Sequence, residues 1–559
     1  MNQLHRSRSL VLLLLVAFCA VWFYALDART LVPTDEGRYA EMGREMAASN
    51  DWITPRLNGI KYFEKPPLQT WMNALTFKAF GLGEWQARLW TGLCGLFGIA
   101  LVAVAGRRLY GGAVAFSAAA VLASSFLWAA LAHMNTLDMG LSGMMTLSLC
   151  SLLVAQRNDA APDERRRWML ACWAGMALAV LSKGLIGIAL PGAVLVLYTV
   201  LARDWAIWRR LHPVGGLLLF FAISAPWFVL VSLRNPEFPQ FFFVHEHLQR
   251  FTSEVHRRTG PLTYFLPYLA LGLMPWLAPL PQALWHARRD SAAGFQPKIL
   301  LVTWAVFIFV FFSVSGSKLP SYILPIFPAL ALLIACQLQR NGRRSVMICA
   351  GMLALFAAAG LALLPRVAAM ADNAYEAPLY RDYSWWVGVT AALALAGSLS
   401  ALWQARRSAQ AGTLLLAVTA FMAGQMLMLG HEPLGRYAAG VDHLPALRAA
   451  LTPATKLYVV GRYEQALPFY LRRTMTMVQH ADELEFGLRQ EPGLWIPTRE
   501  AFMLAWLQHH ASGTAAVAIL SRDAYDQFIR AGLPMRVIGD DPRRVIVSSM
   551  LSPPSGKST

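Results

Sequence analysis

"SLVLLLLVAFCAVWFYAL", residues 9–26, is a run of apolar residues without a single charge. A helix of about 20 such residues spans the hydrocarbon core of a bilayer. The run follows Arg6 and Arg8, so a cleaved secretory signal is an alternative interpretation. However, the run is longer than the apolar part of a typical signal and ends in bulky aromatic residues rather than small ones. We therefore predict an uncleaved first transmembrane helix with its N-terminus in the cytoplasm.

Similar apolar runs recur along the chain, whose mean hydropathy is +0.43 and whose residues are 56% hydrophobic and only 14% charged. Candidate spans of about the length of a membrane crossing lie at 9–26, 86–105, 112–131, 139–156, 168–182, 185–202, 212–232, 262–284, 299–315, 321–338, 345–364, 385–404 and 411–430. The sequence thus predicts a mainly α, polytopic membrane protein with about 13 transmembrane helices, in contact with membrane lipids.

The formal net charge of +17 does not indicate nucleic-acid binding, because the arginines cluster in alternate loops between the predicted spans. Such clusters mark the cytoplasmic side of a membrane protein. They are Arg107/Arg108, Arg165/Arg166/Arg167, Arg203/Arg209/Arg210, Arg288/Arg289, Arg343/Arg344 and Arg406/Arg407. An odd number of spans places the C-terminal segment on the side opposite the N-terminus.

Two domains are predicted, a transmembrane domain over 1–430 and a soluble α/β domain over 431–559. In the second domain, "KLYVVG" (456–461) and "AAVAILS" (515–521) have the composition of buried strands. "DAYDQFIRAG" (523–532) reads as a helix that ends at a glycine. "MRVIG" and "RRVIVSS" read as a closing pair of strands.

The first loop, residues 27–83, is too long and too rich in charges to be a simple connection. It contains a helix-forming segment at 35–49, and we expect amphipathic helices that lie along the membrane surface. In "YFEKPPL" (62–68), two prolines exclude a helix interior and stiffen the chain. They hold Glu64 and Lys65 on a fixed bend.

Ionisable and polar residues gather at the predicted outer ends of several spans, which suggests a shared cavity. Charges near the membrane cost several kcal/mol unless they are paired or hydrated, so such residues are functional candidates. Structural alternatives are a helix cap for Asp35, contacts with lipid headgroups for the cations and a hydrogen-bonded loop histidine for His245. The candidates are Asp35, Glu64 and Lys65 in the first loop, then Asp138, Lys183, His245, Arg250, Lys318 and Tyr322.

The chemistry of these candidates favours an anionic ligand. The cations Lys65, Lys183, Arg250 and Lys318 suit a phosphate group. Asp35 and Asp138 are carboxylates that can orient or deprotonate a nucleophile.

A divalent metal ion held by Glu64 and His245 is possible, but neither cysteines nor a dense group of aspartates complete such a site. Phosphate-binding glycine loops and dinucleotide fingerprints are absent from the sequence, which does not indicate a nucleotide cofactor. We expect that no cofactor is required.

Five motifs together resemble the protein O-mannosyltransferase-like superfamily of membrane glycosyltransferases, most closely the bacterial lipid A 4-amino-4-deoxy-L-arabinose transferases. They are "DEGRYAEMGREM", "YFEKPPLQTW", "SKGLIG", "HEHLQRF" and "SGSKLPSYILPIFPALALL". The resemblance implies a GT-C fold in the bacterial inner membrane, with the active site and the C-terminal domain facing the periplasm. It implies a sugar donor on undecaprenyl phosphate, lipid A as acceptor, and a change of lipopolysaccharide charge that gives resistance to cationic peptides such as polymyxin.

The resemblance also implies residue roles. Asp35 takes the position of the acid at the reaction centre, while Lys65 and Arg250 hold the lipid phosphate. The chain departs from oligosaccharyltransferases because it lacks a W-W-D signature and a D-x-D pair in the first loop. That departure argues against a strict requirement for a divalent metal.

Two other functions stay open at this point. A related transferase that adds another sugar to lipopolysaccharide or to protein Ser/Thr would share every motif. A lipid or sugar transporter is the non-enzyme alternative, although no internal repeat is evident and the charges lie at the ends of spans rather than in mid-membrane.

Overall fold

The structure is a computed structural model that describes residues 2–249, 260–288 and 294–550, with side chains described from Leu13 onward except those of 245–249 and 482. The described chain is mainly helical and ends in a mixed sheet. The first ten helices are α1 (Asn2–Asp27), α2 (Asp35–Ser49), α3 (Leu68–Phe80), α4 (Glu84–Tyr110), α5 (Gly112–Ser124), α6 (Phe126–Ala132), α7 (Leu137–Ala155), α8 (Pro162–Lys183), α9 (Ile186–Ala202) and α10 (Pro213–Arg234).

Further α-helices follow at Phe265–Leu273, Leu280–Ala287, Pro297–Val314, Phe327–Ala362, Leu364–Ala368, Glu376–Ala405, Ala409–Gly430, Glu432–Ala439, Leu444–Ala450, Leu467–Leu471, Glu485–Gln490, Arg499–Ala511 and Arg522–Arg530. A π-helix covers Gln240–Gln249, and short 3-10 helices include Pro320–Ile326 and Asp482–Leu484. The strands are β1 (Arg56–Leu57), β2 (Ile60–Lys61), β3 (Lys456–Val460), β4 (Thr476–Val478), β5 (Trp495–Ile496), β6 (Ala516–Leu520), β7 (Arg536–Asp541) and β8 (Arg544–Ser548).

The apolar helices establish a multi-pass membrane protein. Within the described ranges, seven helical stretches are long and apolar enough to cross a membrane: Glu84–Tyr110, Leu137–Ala155, Pro213–Arg234, Pro297–Val314, Pro320–Ala362, Glu376–Ala405 and Ala409–Gly430. Helices α5 and α6 would form an eighth span with a 65° bend, and Leu13–Asp27 and α9 are shorter apolar helices. The predicted number of about 13 spans is therefore not confirmed.

The difference arises where local features interrupt apolar runs. The predicted span 262–284 is broken into two short helices, and prolines at 275 and 279 lie in the turns between them. The predicted spans 321–338 and 345–364 lie largely in the stretch Pro320–Ala362, which consists of two helices that meet at a kink at Gly342 (φ 25°, ψ −108°), as two separate spans would require.

The C-terminal α/β domain is built on a six-stranded sheet in the order β5-β4-β3-β6-β8-β7. β3 pairs in parallel with both β4 and β6, whereas β7 and β8 form an antiparallel pair that joins β6. The predicted strands at 456–461 and 515–521 and the predicted closing pair are confirmed. All five residues of β6 are buried, because helices cover both faces of the sheet centre.

Helix α2 connects the two halves of the molecule. We predicted an amphipathic helix on the membrane surface, but ten of its fifteen residues are buried. One reason is the approach of the C-terminal domain, since a Cβ atom at Gly37 would lie 2.5 Å from the carbonyl oxygen of Gln465. A glycine is needed here because no other residue lets the two backbones come so close.

Polar contacts also fasten the first loop to the C-terminal domain. The Asn58 side chain donates to the Met475 carbonyl (2.8 Å) and accepts from its N–H (2.7 Å). Arg56 donates from Nη1 to the Glu491 carboxylate at 2.8 Å. The Tyr470 hydroxyl accepts from the Leu31 N–H at 2.9 Å. Through these contacts the C-terminal domain packs directly against the first loop.

Candidate active site

Asp35 is the first residue of α2, where the helix dipole favours a negative charge. Its side chain is 38% exposed, and its Oδ1 lies 3.8 Å from Nη1 of Arg38, one helical turn further on. The carboxylate is thus held near a cation and is still accessible to a ligand.

The neighbouring Glu36 points the other way and is fully buried. Arg88 donates from Nε to Oε1 (2.6 Å) and from Nη2 to Oε2 (3.0 Å) of this carboxylate. Burial would raise the pKa of Glu36, but the Arg88 guanidinium outweighs burial and holds that pKa below its usual value. The pair fixes the start of α2, so the two adjacent acids have different tasks, Asp35 toward the site and Glu36 toward the core.

Asn135 ties the loop before α7 to the same place. Its N–H donates to Oε1 of Glu36 at 2.9 Å, and its side chain accepts from Gln69 at 2.8 Å. The loop is thereby held so that Asp138, in the first turn of α7, lies beside α2. The predicted site residues of two separate loops meet through this network.

Asp138 forms an ion pair with Lys183, which is the last residue of α8. The Lys183 ammonium also lies 4.4 Å from the ring centroid of Tyr322, a cation–π contact. Three of the predicted residues, from three distant parts of the chain, therefore form one contiguous group. The glycine after Lys183 adopts φ +82°, which ends the helix at this point.

Tyr39 on α2 lies within electrostatic range of three of the predicted acids. Burial is the largest cause of the raised pKa of its phenol, and the carboxylates of Asp35, Glu64 and Asp138 raise that pKa further. Charges that perturb one phenol must lie near it. All three predicted acids therefore lie in the region of Tyr39.

Glu64 and Lys65 lie on the bend between β2 and α3, as the prolines predicted. The Lys65 ammonium donates to the Glu64 carbonyl at 2.9 Å and lies 3.8 Å from its carboxylate. The segment after α10 packs on the same bend, because Lys61 pairs with Glu237 at 2.7 Å and Phe63 contacts Phe238 with ring centroids 5.3 Å apart.

The structure describes the remaining predicted residues to different extents. Lys318 is buried and donates to the carbonyls of Gly260 (2.7 Å) and Pro261 (2.9 Å). His245 belongs to the π-helix, but its side chain is not among those described, and Arg250 lies outside the described residues. The roles of these residues stay predictions.

A metal site is not visible in the part of the chain that the structure describes, where no group of three or more His, Cys, Asp and Glu side chains converges. Glu64 alone offers one carboxylate beside a lysine. Its pairing with His245 around an ion stays a prediction.

Sequence reasoning missed the residues that surround Asp35. Arg38, Tyr39 and Tyr62 are buried, and the Tyr62 hydroxyl lies 3.4 Å from Nη1 of Arg38. The three-residue spacing of Asp35 and Arg38 on a predicted helix was a usable signal. Glu483, which binds Arg38 from the C-terminal domain at 2.7 Å, had no signal, because no sequence pattern links the two positions.

Comparisons with known proteins identify the class of this chain, in which acids and cations lie beside apolar helices, as the membrane glycosyltransferases. Residues 64–230 match the family model described as dolichyl-phosphate-mannose-protein mannosyltransferase. Residues 443–549 match the aminoarabinose transferase C-terminal domain.

Relatives cover nearly the whole chain. The undecaprenyl phosphate-α-4-amino-4-deoxy-L-arabinose arabinosyl transferase of Edwardsiella ictaluri is 30% identical over 91% of this chain and 93% of its own. A Pseudomonas aeruginosa protein of the same name is 31% identical over 93% of this chain and 95% of its own. The crystal structure of ArnT from Cupriavidus metallidurans bound to undecaprenyl phosphate superposes with a TM-score of 0.93, at 44% identity, over 98% of this chain and 99% of that one. The chain belongs to the undecaprenyl phosphate-α-4-amino-4-deoxy-L-arabinose arabinosyl transferase family.

Proposed function

We propose that the chain transfers 4-amino-4-deoxy-L-arabinose from undecaprenyl phosphate to a phosphate group of lipid A. The observation that carries the proposal is the Asp138–Lys183 ion pair within electrostatic range of Asp35, in a chain 44% identical to a transferase crystallised with undecaprenyl phosphate. By this proposal the protein lies in the bacterial inner membrane, with its site and C-terminal domain in the periplasm. The arginine clusters in alternate loops support that orientation.

The reaction we propose is a direct displacement at the anomeric carbon. An oxygen of the acceptor phosphate forms the new bond, while the bond to the donor phosphate breaks and its electron pair leaves with undecaprenyl phosphate. Such a displacement inverts the anomeric centre. The leaving phosphate changes from a diester to a monoester and gains negative charge, so nearby cations stabilise the transition state more than the ground state.

The candidate residues divide between the donor phosphate and the acceptor phosphate. Lys65 and Arg250 bind the donor phosphate, and Lys183, Lys318 and Tyr322 complete this cationic and aromatic wall. Asp138 sets the position of Lys183 through their ion pair. Glu64 lies beside Lys65, with its carboxylate 3.8 Å from the ammonium.

Asp35 acts on the acceptor. A phosphate monoester has a second pKa of about 6 and is largely ionised at neutral pH. Such a nucleophile needs orientation rather than loss of a proton, and we propose that Asp35 supplies this orientation together with Arg38. A hydroxyl acceptor would instead require Asp35 as a general base.

No divalent metal is required in this proposal, because lysine and arginine side chains neutralise the phosphate charge. Dialysis of the purified protein against EDTA should leave the transfer rate within about twofold of the untreated rate. A loss of activity that zinc or magnesium restores would contradict this expectation and favour the ion held by Glu64 and His245.

Mass spectrometry of lipid A tests the function itself. Cells that express the chain in a background without such a transferase should add one aminopentose to a lipid A phosphate. Another sugar on lipopolysaccharide or protein would instead support a related transferase. An unchanged glycan profile, with lipid transport in reconstituted vesicles, would support the transporter.

A further inference from the structure

Glu483 and Gln465 reach from the C-terminal domain to the side of α2 that carries Asp35. Glu483 lies in the 3-10 helix Asp482–Leu484, and Gln465 lies in the loop that follows β3. Neither residue belongs to the motifs that predicted the site. Their contacts give the C-terminal domain a direct connection to the reaction centre.

The connection is a closed ring of polar contacts around one guanidinium. Nη2 of Arg38 lies 2.7 Å from Oε2 of Glu483. The Gln465 amide donates to Oε1 of the same carboxylate at 2.7 Å, and its oxygen faces Nε of Arg38 at 3.5 Å. Both ends of the Glu483 carboxylate are therefore occupied, and its orientation is fixed.

The opposite edge of the guanidinium faces the active site. Nη1 of Arg38 lies 3.8 Å from Asp35 and 3.4 Å from the Tyr62 hydroxyl. Arg38 is only 6% exposed, so its charge depends on these partners rather than on water. Loss of Glu483 would leave a buried cation that turns toward its remaining acid, Asp35.

Close packing keeps this geometry from relaxing. The backbone at Gln465 and Ala466 contacts α2 at Gly37, one residue before Arg38, where even a Cβ atom would come within 2.6 Å of the Ala466 Cα. The ring is thus anchored at both the helix and the loop. A small displacement of the domain would move Arg38 with it.

We propose that Glu483 and Gln465 are positioning residues. They hold Arg38 where it orients Asp35 without forming a close ion pair with it. By this inference the C-terminal domain completes the active site. The inference rests on the role of Asp35 in the proposed function. The domain acts through Arg38, and neither of its two residues needs to touch a substrate.

The test compares Glu483→Gln with Glu491→Gln in the purified full-length protein. Both substitutions remove a carboxylate from the same interface, but Glu491 binds Arg56 and the N–H of Lys61, away from Asp35. With an undecaprenyl-phosphate sugar donor and lipid A as acceptor, E483Q should lower kcat about tenfold or more. Binding of undecaprenyl phosphate should stay within about twofold of wild type, and E491Q should change neither quantity by more than about twofold.

The conservative variant of Arg38 separates positioning from simple loss of structure. Arg38→Lys should retain part of the activity, because lysine keeps the positive charge but lacks the planar guanidinium that binds two partners at once. Equal kcat in E483Q and E491Q would overturn the inference.

Hydrogen exchange decides the inference independently of turnover. E483Q should increase exchange over residues 34–42, whereas E491Q should affect residues 56–61. Unchanged exchange at 34–42 in E483Q would overturn the positioning role even if the wild-type protein transferred no sugar. Failure of wild-type transfer alone would instead overturn the proposed function.

Discussion

At the scale of a single residue, the proposed contact with the donor phosphate depends on Lys65. Lys65→Ala should weaken binding of undecaprenyl phosphate by about 1.5–3 kcal/mol, which is the range for hydrogen bonds to charged groups. Titration of the purified protein with this lipid measures the loss. Lys78→Ala is the matched control, because Lys78 binds Asn50 and lies over Trp52 on the first loop. Equal affinities in the two variants would contradict a phosphate role for Lys65.

At the scale of an element, helix α2 makes the free energy of unfolding depend on pH through Glu45. Burial first, and then the neighbouring Glu41, raise the pKa of Glu45 to about 8, although the Gly59 N–H and Arg44 favour its charge. Between the ordinary carboxyl pKa and about 8, the folded chain therefore holds a proton that the unfolded chain has released. The free energy of unfolding should fall as pH rises through this window, by up to about 1.4 kcal/mol per pH unit. Glu45→Gln cannot ionise and should flatten this slope in thermal unfolding between pH 5.5 and 8.5, whereas Glu485→Gln on an exposed helix should not.

At the scale of the whole molecule, stability depends on how closely the C-terminal domain packs against the first loop. Gly37→Ala places a Cβ atom 2.5 Å from the Gln465 carbonyl, and the backbone there cannot move aside cheaply. We expect a loss of about 1–3 kcal/mol in stability, measured by chemical or thermal unfolding, together with lower activity as Arg38 shifts. Gly493→Ala is the control, because no atom lies within 4 Å of a Cβ atom there. Equal stability of both variants would show that the interface is looser than this contact implies.

Much of the molecule could be predicted from local patterns. The long apolar runs predicted a helical membrane protein, and the apolar composition of "KLYVVG" and "AAVAILS" predicted strands that the structure shows to be largely buried. Asp35, Glu64, Lys65, Asp138, Lys183 and Tyr322 were predicted to share a cavity, and the structure brings them into one region. Their gathering was predictable because charges are costly beside a membrane and must find partners or a ligand.

By itself the sequence determined the class of fold, since burial of apolar side chains and the spacing of turns act over short stretches of chain. The tertiary structure alone decided which charges meet. Lys183 pairs with Asp138, 45 residues earlier, and Gln465 faces Arg38 across 427 residues. The break in the predicted span 262–284 is different, because it follows prolines that the sequence itself shows. The charge pairings instead depend on how the helices and the C-terminal domain pack together, and no local preference in the sequence encodes that arrangement.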